Sequence, residues 1–269
     1  VQRLRRLIGR RTARADARSF VVEGATLLEE ALAAGAPIEA VYLDPWAAGE
    51  VETGVAARCL DAGGRVFELE DGVMARVAGT VSPQPIVAIV AKTDIGLGAL
   101  GERHPTLVVV CVDVRDPGNA GTVLRSAEAS GADGVVFAGE VVDVFNPKTV
   151  RASAGALFHV PVVSIAQGPS GPVGGSLKPA DVLDEIGRWG LRRHGTVAHG
   201  GTDYSVADLS GPVALVVGNE ANGLPEDLVN HLDEYLTIPM VGRTESINVS
   251  MAAAVLCFEV ARQRRMAPA

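Results

Sequence analysis

The chain has 269 residues, enough for one large domain or two small ones, and 48% of them are apolar, enough to build a core. A formal charge of −8 excludes a protein that coats nucleic acid indiscriminately. Cys59, Cys111 and Cys257 form neither a CxxC pair nor a zinc-type Cys/His spacing, so no metal and no disulfide framework is expected, and a reducing cytoplasm fits. No membrane span is expected either: the uncharged, mostly apolar run Ser246 to Phe258 is too short and contains polar residues. The start carries no apolar signal-peptide core.

Residues 1–18 hold seven arginines, from Arg3 to Arg18, against one acid, Asp16. That composition suits a frayed, solvated terminus or a basic arm that touches a polyanion. Strand and helix patterns then alternate. Strands are predicted at Phe20–Val22, Ile38–Leu43, Val66–Leu69 and Ile86–Val90, with helices at Thr26–Ala34, Val55–Ala62 and Gly72–Val77. Residues 92–106 mix Gly, charge and Pro105 and read as a linker. A second unit opens with Leu107–Val112, a continuous apolar run suited to a strand buried on both faces. Helices are predicted there at Ala120–Ser130, Pro147–Leu157, Asp181–Arg193 and Ile247–Arg264. The strands between them are Val135–Phe137, Val160–Ile165, Thr196–Ala198, Val213–Val217 and Leu236–Met240. Gln167–Pro179, rich in Gly, Pro and Ser, is long for a loop and reads as a surface insertion or a lid. The fold class is α/β in two domains, 1–91 and 107–269.

Three polar clusters stand out in the second unit, each after an apolar run. The first is Asn119 to Arg125, the second Gly218 to Pro225, and the third Glu245 to Ser250. In an open α/β sheet, ligands bind at the loops that leave the strand ends. Taken singly, Asn119 is a natural helix N-cap, Glu220 a carboxylate near a helix start, and Ser246 the cap of the last helix. Arg125 has no use in the second turn of a helix, close to its positive end, and fits an anionic partner such as a phosphate. In the first cluster Gly118 and Gly121 do not give GxGxxG, and no GxxxxGK[ST] occurs anywhere, which disfavours dinucleotide and P-loop binding there.

Together and in this order the clusters resemble the SpoU, or TrmH-like, branch of the SPOUT RNA methyltransferases. The family's N-x-G-x-x-x-R motif is met by Asn119, Gly121 and Arg125. Its G-[NA]-E-x-x-G-[LM] motif is met by Gly218, Glu220, Gly223 and Leu224. Its I-P-M and S-[LI]-N-V motifs are met by Ile238, Pro239 and Met240 and by Ser246, Ile247, Asn248 and Val249. The stretch Asn146 to Phe158 is similar to the segment between motifs, and Phe20 to Gly24 before a helix is similar to an L30e-like substrate-binding domain. The resemblance implies a carboxy-terminal SPOUT domain with a trefoil knot, S-adenosyl-L-methionine as cofactor, a homodimer, and transfer of a methyl group to a ribose 2′-hydroxyl. It implies RNA as partner, ribosomal (23S first) ahead of transfer RNA, reached through the amino-terminal domain and its arginines. Ala198, Gly218, Ile238, Met240 and Ile247 are the expected cofactor contacts, and Asn119, Arg125, Glu220, Ser246 and Asn248 the catalytic set. A non-catalytic RNA-binding or assembly protein of the same fold is the competing expectation.

Overall fold

The structure is a computed structural model and describes residues 1–78, 83–166 and 177–266. All but the last three residues of the Gln167–Pro179 loop lie outside the described residues. In chain order, α1 (Gln2–Gly9) and α2 (Arg11–Ala17) come first, where an arm or a frayed end was expected. Then follow β1 (Ser19–Glu23), α3 (Ala25–Ala33), β2 (Ile38–Leu43), α4 (Glu50–Asp61), β3 (Arg65–Glu68), α5 (Val73–Ala78) and β4 (Ile86–Ala91). Helix α4 starts ahead of Val55 because the Glu52 carboxylate accepts the Gly49 N–H at 2.9 Å. The 92–106 stretch is not featureless: it holds α6 (Leu97–Gly101). Next come β5 (Leu107–Val112), α7 (Pro117–Ser130), β6 (Gly134–Gly139), α8 (Pro147–Ala152), β7 (Val162–Ala166) and α9 (Pro179–Arg188). The chain closes with β8 (Arg192–Thr196), β9 (Thr202–Asp203), β10 (Val213–Val217), β11 (Glu234–Thr237) and α10 (Val249–Met266).

Two expectations are corrected here. The helix predicted to Arg193 ends at Arg188, and Arg192 and Arg193 open β8, displacing the strand predicted at Thr196–Ala198. Their charges hide the strand but are neutralised in it: Arg193 binds both carboxylate oxygens of Asp233 at 2.9 and 2.8 Å, and Arg192 reaches Glu234 at 3.2 Å. The helix predicted over Pro147–Leu157 breaks after Ala152, where Ala154 and Gly155 take φ of 48° and 95°.

The chain divides into two compact units, residues 1–93 with 143–159, and residues 94–142 with 160–269. In the first unit the sheet runs β1-β4-β2-β3, with β4 antiparallel to both its neighbours and β3 parallel to β2. Leu4 and Leu7 of α1 pack with Val21, Met74, Val87 and Ile89. Residues 143–159 complete this unit: the Phe145 ring lies 4.8 Å from that of Phe20, and Phe158 stacks on Phe20 at 6.0 Å.

The second unit is a seven-stranded, all-parallel sheet in the order β7-β6-β5-β10-β8-β11-β9. Strands β5 and β10 are buried at every position, which is why both read as unbroken apolar runs. Leu97 and Leu100 of α6 belong to its core, with Val110, Val136, Leu183 and Val216. The three cysteines are free and buried, and burial pushes the Cys257 thiol up to about 12, so these sulfurs pack rather than react. Among the described residues, no helix is long and apolar enough to cross a membrane, and no group of three or more His, Cys, Asp or Glu could hold a metal ion.

Candidate active site

Strand β10 ends at Val217, and the chain turns at Gly218 into a tight loop. Asn219 and Gly223 exchange backbone hydrogen bonds of 2.9 Å each way, and Gly223 takes a φ of 69°. The Asn219 side chain holds the loop from within. Its Oδ1 accepts the Ala221 and Asn222 N–H groups at 3.0 and 3.2 Å, and its Nδ2 donates to the Asp113 carbonyl, past the end of β5, at 2.9 Å.

This loop walls one side of a cleft of about 420 Å³. Further lining comes from the end of β8 at Thr196 and the segment after it, through Val197 and Ala198, and from the segment after β11, through Ile238 and Met240. Ser246, Ile247 and, from α10, Ala252 and Leu256 complete it. The lining is largely apolar, with backbone groups from three strand-end loops available as donors and acceptors.

At the Glu220 edge of the cleft the polar groups are wired together. Asn119 Nδ2 donates to Glu220 Oε1 at 2.9 Å, and Asn248 Nδ2 donates to Asn119 Oδ1 at 2.9 Å. The Asp116 N–H and Asn219 Nδ2 approach the same carboxylate at 3.4 Å each. So the three clusters meet in one chain, Asn248 to Asn119 to Glu220. The helix caps explain which side chains are left to do so. Asp116, not Asn119, caps α7, accepting the Asn119 N–H at 2.8 Å, and the helix begins at Pro117. Asn248, not Ser246, caps α10, its Oδ1 accepting the N–H and Oγ–H of Ser250 at 2.8 and 2.6 Å.

Residues 106–258 match the model of the SpoU rRNA methylase family. The chain belongs to the SpoU rRNA methylase family. Residues 1–88 match the MRM3-like substrate binding domain. The 23S rRNA (guanosine(2553)-2'-O)-methyltransferase RlmP of Bacillus subtilis is 32% identical to this SpoU methylase over 250 residues, covering 92% of this chain and 90% of that protein. A 23S rRNA (uridine(2479)-2'-O)-methyltransferase of Streptomyces viridochromogenes is 32% identical over 275 residues, 98% of this chain and 89% of the other. The crystal structure of the SpoU methyltransferase AviRb from Streptomyces viridochromogenes, in complex with AdoMet, superposes with a TM-score of 0.84 at 28% identity, covering 99% of this chain and 98% of that one.

In this SpoU methylase all five expected cofactor contacts, Ala198, Gly218, Ile238, Met240 and Ile247, line one cleft, together with Glu220 and Ser246. Asn119 and Asn248 join it through the hydrogen-bonded chain. Arg125 and Ser246 stand outside that chain. Arg125 is exposed and sits in the third turn of α7, not the second, because the helix starts earlier than its sequence suggests. Sequence reasoning passed over Asn219, which organises the Gly218 loop, and over Thr196, Leu236 and Leu256 in the wall. Asn219 carried a signal, an amide between a glycine and an acid at a strand end. The three wall residues carried none.

Proposed function

We propose that the protein methylates a ribose 2′-hydroxyl of 23S ribosomal RNA, with S-adenosyl-L-methionine as methyl donor held in the cleft of the second unit. The observation that carries this reading is the Asn248–Asn119–Glu220 chain set on the edge of an apolar cleft. The cleft suits that cofactor by volume and by chemistry. Its size lies within the usual ~300–1,000 Å³ of small-ligand sites, and Leu236, Ile238, Ile247 and Leu256 offer an apolar slot for a purine. Ala198, Gly218 and Met240 bring backbone polar groups beside it. When bound, the cofactor supplies an electrophilic methyl group on a sulfonium that is already a good leaving group.

The chain's own side chains then have to align the ribose and manage its proton. Among the described residues no histidine lines the cleft, so an imidazole base is not on offer there. Glu220 is a carboxylate held in place by Asn119 and is the group able to accept the hydroxyl proton. Asn119 in turn is fixed by Asn248, so a ribose docked here meets an oriented set of amides. Arg125 has an exposed guanidinium with no ion pair among the described residues. A guanidinium surrenders its proton too reluctantly to serve as a base, so Arg125 grips the target phosphate or stabilises the developing alkoxide. Ser246, exposed in the cleft, contacts the ribose.

We further infer a homodimer in the cytoplasm. Helix α10 exposes Met251, Val255 and Phe258, spaced four and three apart on one face, while Ala252 and Leu256 beside them line the cleft. A second copy covering that stripe lies next to the site, and light scattering decides its presence.

Calorimetric titration with S-adenosylmethionine and with NAD, then mapping of methylated nucleotides after incubation with total RNA, tests the reading. Binding of S-adenosylmethionine alone and one new 2′-O-methyl mark in 23S RNA is expected. A mark in transfer RNA overturns the substrate, and binding of neither ligand favours the non-catalytic assembly protein.

A further inference from the structure

The fold sorts the seven arginines of residues 1–18 into two populations. Arg14 goes inside, 3% exposed. Its Nε donates to Asp143 at 2.7 Å, and its Nη1 donates to the carbonyls of Leu7 and Ile8 at 2.5 and 3.1 Å. Those carbonyls belong to the last turn of α1, which has no intrahelical donors for them. One buried side chain therefore closes α1, ties it to the 143–159 stretch and fixes the bend at Arg10, where the backbone is extended. Arg3, Arg5, Arg6, Arg10, Arg11 and Arg18 remain outside. Arg3 is held by Glu39 at 2.5 Å and Arg5 by the Arg76 carbonyl at 3.3 Å. Arg6 and Arg10 have no ion pair or side-chain hydrogen bond among the described residues.

This surface does not serve the helix. Helix α1 contains no acid, Arg3 sits in its first turn against the dipole, and Arg3 and Arg6 are like charges one turn apart. Burial of Leu4 and Leu7 holds the helix down despite them. That burial also removes the case for a membrane, because the apolar face that could enter a bilayer is already inside the unit. An outward row of arginines on a backbone anchored by Arg14 fits a chain of phosphates, each able to take paired N–H donors.

The charge balance points the same way. The first unit holds 13 Lys and Arg against 13 Asp and Glu, so the whole of the −8 lies on the second unit, which carries the cleft. A polyanion delivered to an acidic catalytic unit needs attraction from elsewhere on the chain.

We propose that α1 and α2 form a preorganised clamp for the RNA backbone, in which Arg6 and Arg10 contact phosphates and the Arg14–Asp143 pair sets their spacing. The proposal rests on the methyl-transfer reading, which supplies the RNA. A rigid array loses less entropy on binding than a flexible basic tail of the same charge.

The test compares the wild-type protein with the Arg6→Gln/Arg10→Gln variant and with an Arg58→Gln/Arg103→Gln control that removes the same charge elsewhere. Affinity for a poly(U) oligonucleotide is measured by fluorescence anisotropy over a salt series, and for S-adenosylmethionine by calorimetry. The expected result is a slope of log K against log salt shallower by about 1.4 in the Arg6/Arg10 variant, about 0.7 for each single-strand phosphate that is no longer neutralised. Its cofactor affinity stays at the wild-type level, and the control keeps the wild-type slope. An unchanged slope in the Arg6/Arg10 variant, an equal change in the control, or wild-type binding to phosphatidylserine vesicles in place of RNA each overturns the clamp. If the wild-type protein methylates ribosomal RNA in the nucleotide-mapping experiment above, only the clamp falls. If it binds no cofactor and methylates no RNA, the methyl-transfer reading falls and takes the clamp with it.

Discussion

Only glycine fits at position 218. A Cβ there would lie 2.3 Å from the carbonyl carbon and oxygen of Gly223 and 2.5 Å from the Leu224 nitrogen, all backbone atoms that cannot yield. The loop that presents Glu220 is thus dictated by close packing of its own chain, before any ligand arrives. Arg125 is the opposite case, a residue the fold does not need. It is exposed and bonded to nothing among the described residues. Arg125→Ala is therefore expected to leave S-adenosylmethionine binding nearly intact while lowering the single-turnover methyl-transfer rate on the order of 10²–10³-fold, the usual cost of removing one charge-stabilising donor. Full turnover by the variant rules out the role given to Arg125. The composition of the site was legible in the sequence, because amides and an acid after apolar runs sit where an α/β sheet binds ligands. Its wiring was not. Which amide caps its helix and which faces Glu220 depends on where each helix starts, and Asp116 and Asn248 took the caps that Asn119 and Ser246 were expected to fill.

Strands with a compact apolar run were the easiest to foresee. Strands β2, β5 and β10 occupy the predicted residues because each is a compact apolar or β-branched run. Elements whose polar side chains are neutralised by distant partners were hidden. Strand β8 opens with two arginines that only make sense beside Asp233 and Glu234, and α2 contains an arginine that only makes sense beside Asp143. That last pair has a measurable consequence. Arg14 and Asp143 are 3% and 9% exposed, so removing one partner leaves a buried charge uncompensated. Asp143→Ala is expected to cost about 3–5 kcal/mol of stability in urea unfolding. The double change Arg14→Met/Asp143→Leu, which removes both charges and fills the space, recovers most of it. A loss below about 1 kcal/mol, the scale of an exposed pair, contradicts a structural role for the pair.

At the scale of the whole molecule, a buried histidine makes stability sensitive to mild acid. His194 lies in β8 between β10 and β11, fully buried, and neither ring nitrogen has a hydrogen-bond partner among the described residues. Burial pushes its imidazole below the ordinary value of about 6.5, opposed by Glu234, whose Oε2 is 3.6 Å away but already engaged by Arg192. The folded form therefore keeps His194 neutral at a pH where the unfolded chain takes up a proton. Stability is undiminished above about pH 6.5 and falls as the pH drops below it, by up to about 1.4 kcal/mol per pH unit until the folded His194 itself titrates. The carboxylate of Asp233, held down to about 2 by its hydrogen bond from Arg193, adds its own loss only at more acid pH. Urea unfolding between about pH 7.5 and pH 5 isolates the histidine. Wild-type stability is expected to fall across that interval, and His194→Leu, which fills the same buried site without a titratable group, is expected to flatten the decline. An equal acid-dependent loss in the Leu variant assigns the sensitivity to other groups.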